Sequence, residues 1–274
     1  MPELPEVETI VNNLRQGSQG MPSLLGRRIT GVQLLWERTL ETPTFSEFNR
    51  RVLGQVIENI RRRGKFIVFS LSSEALLIHL RMSGDLLVEA LSAPLARHHR
   101  LIFELDGDIR LVFNDARKFG RAWLVADPAT VLKALGPEPL DPDFTPGQFY
   151  QRLQFHHRQL KPLLLDQAFL AGLGNIYTDE ALHLARLNPL TLAQSLSLAE
   201  AERLLESIRQ VLQEGIHRNG ASIDWVYRGG DFQNYFRVYQ RTGKPCPVCN
   251  TRIQRIIVGQ RGTHFCPTCQ TIHK

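Results

Sequence analysis

The chain has 274 residues, with 33 Lys and Arg against 27 Asp and Glu for a formal net charge of +6, and 43% of its residues are apolar. That length accommodates about two domains with a proper core and needs no disulfide staples, and the composition excludes disordered and collagen-like classes. The opening Met1-Pro2-Glu3-Leu4-Pro5-Glu6 lacks the basic start and apolar run of a secretory leader, and no apolar stretch long enough to span a bilayer follows, so the expectation is a cytoplasmic protein with no membrane partner.

Pro5 to Leu14 places Pro and acids in a first turn and apolar residues at 7, 10, 11 and 14, which predicts a short helix stopped by Gly17. From Ile29 to Val125 the pattern changes to short β-branched and aromatic runs, among them Phe66 to Phe69 and Leu76 to Leu80, with a hairpin turn at Asp106-Gly107. These runs predict an antiparallel sandwich or barrel, so 1–135 reads as the N-terminal domain. Residues 136–147 hold four prolines and two glycines in twelve positions and are assigned as a linker. Helical spacing then returns over roughly 146–156, 160–170, 175–186 and 198–217, the last opened by a Ser197/Glu200 capping box and closed by Gly220, giving a helical domain over 148–235. The fold class is α+β, multidomain.

Residues 236–274 form a third module with seven basic and no acidic residues, and all four cysteines lie in it. A basic patch coinciding with a cysteine framework points to a polyanion partner. Cys246-Pro247-Val248-Cys249 and Cys266-Pro267-Thr268-Cys269 are two CxxC pairs sixteen residues apart, the spacing of a four-thiolate structural zinc site. Residues 253–258 and 261–265 are expected as the strands of a zinc-pinned hairpin whose tip is Gly259 to Thr263.

The N-terminus is itself a chemical group. Removal of Met1 leaves Pro2 as a free secondary amine beside Glu3 and Glu6. An α-amine titrates at about 7.7–8.0 against about 10.4 for lysine, so far more of it is available to attack a sugar C1′ or an aldehyde at neutral pH. Carboxylates are the natural proton-transfer partners. A tautomerase using an N-terminal proline as base fits this feature equally well, but leaves the zinc hairpin without a use. At Gly172-Leu173-Gly174-Asn175, a glycine-rich turn delivers Asn175 to a helix start, where backbone N–H groups suit a phosphate.

Taken with the zinc pairs, the Met1-Pro2-Glu3-Leu4-Pro5-Glu6-Val7-Glu8-Thr9 opening resembles that of the bacterial formamidopyrimidine-DNA glycosylase family. Further landmarks are Arg63-Gly64-Lys65, His79-Leu80-Arg81-Met82-Ser83-Gly84, Asn114-Asp115-Ala116-Arg117-Lys118-Phe119-Gly120, Lys161-Pro162-Leu163-Leu164-Leu165-Asp166-Gln167, Gly172 to Tyr177 and Arg261 to Cys266. The resemblance implies an N-terminal antiparallel β-sandwich with an N-terminal helix, a helix-two-turn-helix domain and a zinc-finger β-hairpin. It implies an enzyme that removes oxidised purines from duplex DNA and cuts the abasic strand by β,δ-elimination. By analogy Pro2 forms the Schiff base, Glu3 supplies a proton to the opening sugar, Glu6 supports the site, Lys65 assists β-elimination and Arg261 grips phosphates for the δ-step. Met82, Arg117 and Phe119 match the residues that fill the hole left by a flipped base. His79, His98, Lys161 and Asn175 match DNA-facing positions, and His156 stands in a basic cluster with His157 and Arg158.

The chain departs from its relatives at His98-His99-Arg100, where His-Asp-His is more usual, and at Asn188-Pro189 in place of His-Pro. Its 219–235 segment, expected to cap the lesion, differs from the Gly- and Ser/Thr-richer loop of many relatives. A sister enzyme for oxidised pyrimidines of the endonuclease VIII type, and a non-catalytic zinc-stabilised DNA-binding protein, are the rival readings. The expected partner is damaged double-stranded DNA, bound by a monomer holding one structural zinc and no nucleotide cofactor, since no phosphate-binding loop motif occurs.

Overall fold

The computed structural model describes residues 1–18, 20–222 and 229–272. They fall into two units, one comprising Met1–Pro2 and Glu6–Lys133, the other Glu3–Pro5, Ala134–Ala221 and the residues from Gly229 onward.

Helix α1 (Leu4–Gln16) buries Val7, Ile10, Val11 and Leu14, the stripe its spacing predicts. Glu6 occupies its first turn, where unpaired amides favour an acid. Gly17 ends it at φ +81°, a left-handed value that lets its N–H close on the Asn13 carbonyl at 2.9 Å. The rest of the first unit runs β1 (Ile29–Leu34), β2 (Leu40–Thr42), α2 (Phe45–Val52), β3 (Ile57–Arg63), β4 (Phe66–Leu71), β5 (Ala75–His79), β6 (Gly84–Ala90), β7 (His99–Leu105), β8 (Ile109–Asp115), β9 (Arg121–Val125) and α3 (Ala129–Leu132).

These strands make a four-stranded sheet, β1-β7-β8-β6, and a five-stranded one, β2-β9-β5-β4-β3. Pairing is antiparallel throughout except for β2 on β9, a parallel edge pair. That pair has no sequence signature, because β2 has only three residues and follows a single 3-10 turn at Glu37–Thr39. Ile60, Ile67, Phe69 and Ile78 from one sheet share a core with Leu101, Phe103, Leu111 and Phe113 from the other and with the apolar stripe of α1. Each such side chain, removed from water, contributes about 1.5–3 kcal/mol.

The second unit continues with α4 (Pro146–Gln154), α5 (Leu160–Leu164), α6 (Asn175–Leu184), α7 (Leu198–His217), β10 (Gln254–Val258) and β11 (Arg261–Phe265). Segment 136–147 has no regular structure before Pro146, and it is strapped down. Arg209 of α7 donates to the carbonyls of Pro139 (2.8 Å), Asp141 (3.1 Å) and Phe144 (2.5 Å). The capping boxes Thr145/Gln148 and Ser197/Glu200 both form, and they set the starts of α4 and α7.

Helix α5 is shorter than the 160–170 expected. Asp166 accepts from the Ala168 amide at 3.0 Å, and the Gln167 side chain receives the Gly172 amide at 3.0 Å while donating to the Leu165 and Leu173 carbonyls. These side chains compete with the helical ladder and fold 165–174 into turns. Among the described residues no helix is long and apolar enough to cross a membrane. Of the expected capping segment, 223–228 lies outside the described residues.

Candidate active site and nucleic-acid interface

Helix α6 has no capping side chain of its own, because its N-cap is Gly174. The Glu3 carboxylate takes that place. It accepts the amides of Gly174 (2.8 Å), Ile176 (3.0 Å) and Tyr177 (3.3 Å) and is buried. Free N–H groups at a helix start attract an anion, and three of them fix both carboxylate oxygens. Gly174 must be glycine here, since a Cβ would stand 2.2 Å from the Glu3 carboxyl carbon. Pro2, the residue bonded to Glu3, is buried, and so is Glu6.

In the first unit, Lys65 sits on the β3–β4 turn, opened by Gly64 at φ +58°. Glu8 of α1 holds Arg62 at 2.7 Å, and Arg62 in turn donates to the Gly64 carbonyl at 3.1 Å, so the helix braces the turn that carries the lysine. Lys65 itself is buried. His79 at the end of β5 is also buried, and its Nδ1 accepts the Arg81 amide at 3.0 Å. Burial, with the charges of Arg81 and Lys65 adding, pushes its pKa down to about 3. A neutral ring in that place makes His79 a hydrogen-bonding group and a brace for the Arg81 turn rather than a cation facing phosphate.

Met82 and Phe119 are 40% and 47% exposed, and Arg117 lies over the Phe119 ring at 5.3 Å, so these three form a solvent-facing group rather than part of the core. His98 is half-buried and meets an Arg100 guanidinium nitrogen across 3.3 Å at Nδ1. Arg100, the departure from the usual histidine, donates further to the carbonyls of Asp115, Arg97 and His99.

In the second unit Lys161 requires a correction. It is wholly buried, with Nζ donating to Asp179 at 2.5 Å and to the Asn175 carbonyl at 3.0 Å, and has no DNA-facing surface in this structure. Burial lowers the pKa of its ammonium against the pull of Asp179. The other Asp179 oxygen receives the His264 amide at 2.8 Å and faces His264 Nδ1 at 3.2 Å. Asn175 donates to the Gly262 carbonyl at 3.0 Å. The turn before α6 is thereby tied to strand β11, whose first residue, Arg261, is exposed. His156 is half-buried against the Phe169 ring at 5.2 Å, and His157 and Arg158 are exposed beside it.

The four cysteine sulfurs lie within 4.8 Å of one another, the one metal-competent cluster among the described residues. Cys246 to Cys269 is 3.9 Å and Cys249 to Cys266 is 3.4 Å, against about 3.8 Å between thiolates on a tetrahedral zinc. The metal-free electrostatics call for a cation. Cys249 falls to about 6 through hydrogen bonds from Thr251, whereas Cys266 and Cys269 are driven upward, with burial the largest cause. A bound dication lets all four ionise together. The strands predicted at 253–258 and 261–265 form, one residue shorter at the first, with Gly259 and Gln260 at positive φ in the tip.

Sequence reasoning missed Asp115, Asp179, Glu180 and His183. The signal for Asp179 and Glu180 was present, as two adjacent acids in a short helix with no Lys or Arg to pair with them. Glu180 is buried and accepts the amides of Arg237, Val238 and Tyr239 at 2.8 to 2.9 Å. His183 approaches Cys246 Sγ at 3.3 Å, a contact no local pattern announces.

Family models match three stretches: the formamidopyrimidine-DNA glycosylase N-terminal domain at residues 1–122, the H2TH domain of the same enzyme at 135–226, and a zinc finger found in FPG and IleRS at 243–272. The chain belongs to the formamidopyrimidine-DNA glycosylase family. The formamidopyrimidine-DNA glycosylase of Pelotomaculum thermopropionicum is 44% identical over 281 residues, covering 99% of this chain and 100% of the relative. That of Chloroflexus aurantiacus is 48% identical over 278 residues, covering 98% of each. Among solved structures, a Lactococcus lactis FPG mutant in complex with Fapy-dG-containing DNA superposes with a TM-score of 0.91 at 36% identity, covering 98% of this chain and 100% of that one. MutM in complex with DNA containing carbocyclic 8-oxo-G gives 0.90 at 37% identity, with the same coverage. The Fpg-like architecture is thus the fold of this chain, with β-sandwich, H2TH helices and zinc-finger hairpin.

Proposed function

We propose that the protein is a bifunctional DNA glycosylase and abasic-site lyase that removes oxidised purines, 8-oxoguanine and formamidopyrimidines, from double-stranded DNA. The observation that carries this reading is the Glu3 carboxylate held by three α6 amides immediately after Pro2. Once Met1 is removed, the Pro2 amine attacks C1′ of the extruded nucleotide and the bond from C1′ to the base breaks. Glu3 takes the proton the amine sheds and passes it to the ring oxygen as the sugar opens, leaving an iminium between Pro2 and C1′. Loss of a C2′ proton then expels the 3′ phosphate, assisted by Lys65, and a second elimination expels the 5′ phosphate while Arg261 steadies it.

Extruding a base costs a few kcal/mol and leaves a gap in the stack. Exposed Met82 and Phe119 suit wedging into that gap, and Arg117 suits the edge of the orphaned base. His98 reaches a phosphate, while the Asn175 turn and the exposed Arg261 belong to the DNA-facing side of the second unit. One zinc on Cys246, Cys249, Cys266 and Cys269 would hold the hairpin rigid. The chain acts as a monomer in the cytoplasm, without a nucleotide cofactor. The DNA named in the structures of relatives supports the substrate class.

The test is borohydride trapping on a duplex with one 8-oxoguanine opposite cytosine, using protein whose N-terminus is verified by mass spectrometry. The expected adduct maps to Pro2 and is lost in Pro2→Gly while DNA binding persists. Trapping only on an oxidised-pyrimidine duplex transfers the protein to the endonuclease VIII type, and binding without any adduct refutes catalysis.

A further inference from the structure

The residues proposed to fill the gap come from two separate loops, Arg81–Ser83 between β5 and β6 and Ala116–Gly120 between β8 and β9. Their joint action requires that the loops move as one piece. We infer that Asp115 is the positioning residue that makes them one, an inference that rests on the function proposed above.

Asp115 is the last residue of β8 and pairs with Gly84, the first of β6, so the strand register brings the two loop bases together. Its side chain is buried. One carboxylate oxygen accepts the Ser83 hydroxyl, next to Met82, and the Arg117 amide at 3.1 Å. The other accepts the Gly120 amide at 2.7 Å. Ser83 Oγ also receives the Arg117 amide at 3.1 Å, which closes a ring of hydrogen bonds across both loops. The backbone of Asp115 extends the hub, its N–H donating to the His98 carbonyl at 2.8 Å and its carbonyl accepting Arg100 Nε at 2.7 Å.

The loops are otherwise held in unfavourable backbone states. Arg81 and Lys118 adopt φ of +55° and +63°, which non-glycine residues avoid unless their surroundings hold them there. Gly120 packs so closely that a Cβ would stand 2.3 Å from the Phe113 ring. Phe113 lies in the core, so the second loop is seated directly on the packed interior. An ionised carboxylate with three donors is well suited to holding such a turn, since hydrogen bonds to a charged acceptor are stronger than neutral ones. Met82, Arg117 and Phe119 therefore enter the duplex as a single preset unit.

Asp115→Asn and Ser83→Ala test this with single-turnover excision from duplexes carrying 8-oxoguanine opposite cytosine or adenine. Borohydride trapping on a single-stranded abasic oligonucleotide, which has no partner base and no stack to fill, is the reference. In Asp115→Asn the amide nitrogen meets the Gly120 N–H donor to donor, and duplex excision falls by about tenfold or more beyond any change on the single strand. The discrimination between the two opposite bases that Arg117 would supply shrinks with it. Ser83→Ala shifts both quantities the same way by less. A folded Asp115→Asn that keeps the wild-type duplex rate and opposite-base discrimination overturns the inference. If Asp115→Asn does not fold, Ser83→Ala decides, and unchanged discrimination there overturns it. Wild-type protein that traps on no oxidised-purine or abasic DNA removes the proposed function itself, a result distinct from either.

Discussion

Replacing Asp179 by Asn removes the carboxylate bonded to a lysine that has no contact with water. Lys161 and Asp179 are both fully buried and 2.5 Å apart. After the change Lys161 Nζ keeps the Asn175 carbonyl at 3.0 Å and gains at most an amide oxygen, so the ammonium stays buried with no carboxylate bonded to it and only the more distant pull of Glu3. Breaking a buried pair on one side costs about 3–5 kcal/mol. Lys161→Met should cost less, about 1.5–3 kcal/mol, because the Asp179 carboxylate retains the His264 amide and faces His264 Nδ1. The double variant restores neutrality and recovers about 2 kcal/mol relative to the sum of the single changes. Urea unfolding followed by far-ultraviolet circular dichroism reports on this helical unit. If Asp179→Asn lowers stability by less than about 1 kcal/mol, or if the single changes add without recovery, Lys161 is not held by Asp179 in solution.

Gly174→Ala puts a Cβ within 2.2 Å of the Glu3 carboxyl carbon and should push that carboxylate off the α6 amides, cutting adduct formation by at least tenfold with little loss of helix content; an unaltered trapping rate would detach Glu3 from the chemistry. Cys249→Ala, or chelation, should release the bound metal and weaken lesion binding through loss of the hairpin carrying Arg261, as measured by metal analysis alongside a binding titration. His79 has a folded pKa near 3 against an unfolded value of about 6.5, so the unfolded chain binds the extra proton between them. Its contribution is therefore present above about pH 6.5 and lost as pH falls toward 3, at up to about 1.4 kcal/mol per pH unit. His79→Gln should flatten that part of the stability profile, and a ring titrating near 6.5 by NMR would contradict the burial argument.

Where local chemistry dictates local geometry, sequence and structure agree. The Ser197/Glu200 box starts α7, Asp106-Gly107 turns β7 into β8, and the two CxxC pairs converge. The shortening of α5 was hidden because its apolar residues keep helical spacing while Asp166 and Gln167 withdraw the backbone from the ladder through side-chain bonds. Lys161 was misplaced for a related reason. A lysine on a short helix reads as exposed until its partner, eighteen positions away on α6, is known. Met82 and Phe119 illustrate the opposite case, since periodicity alone favours core for both and only their motif partners place them outside. Asp115 lay in plain view inside a recognised motif, yet its purpose depends on the register of β6 against β8, which no local pattern encodes.

The bonding of the zinc hairpin makes it an organ of the helical unit. Its apolar centre consists of Val238, Ile253 and the cysteines, too little to fold on hydrophobic burial alone. Its remaining anchors are polar and borrowed: Glu180 accepts the amides of 237 to 239, Asn188 donates to the Gln270 carbonyl at 2.7 Å, and Gln270 returns a bond to Leu187 at 2.9 Å. A chain cut before residue 236 would leave Glu180 buried with no amide to receive, and the loss would be felt in α6, which also seats Glu3. Grafting this finger onto another scaffold, or replacing it with a finger from elsewhere, thus requires moving the acidic pair of α6 along with it.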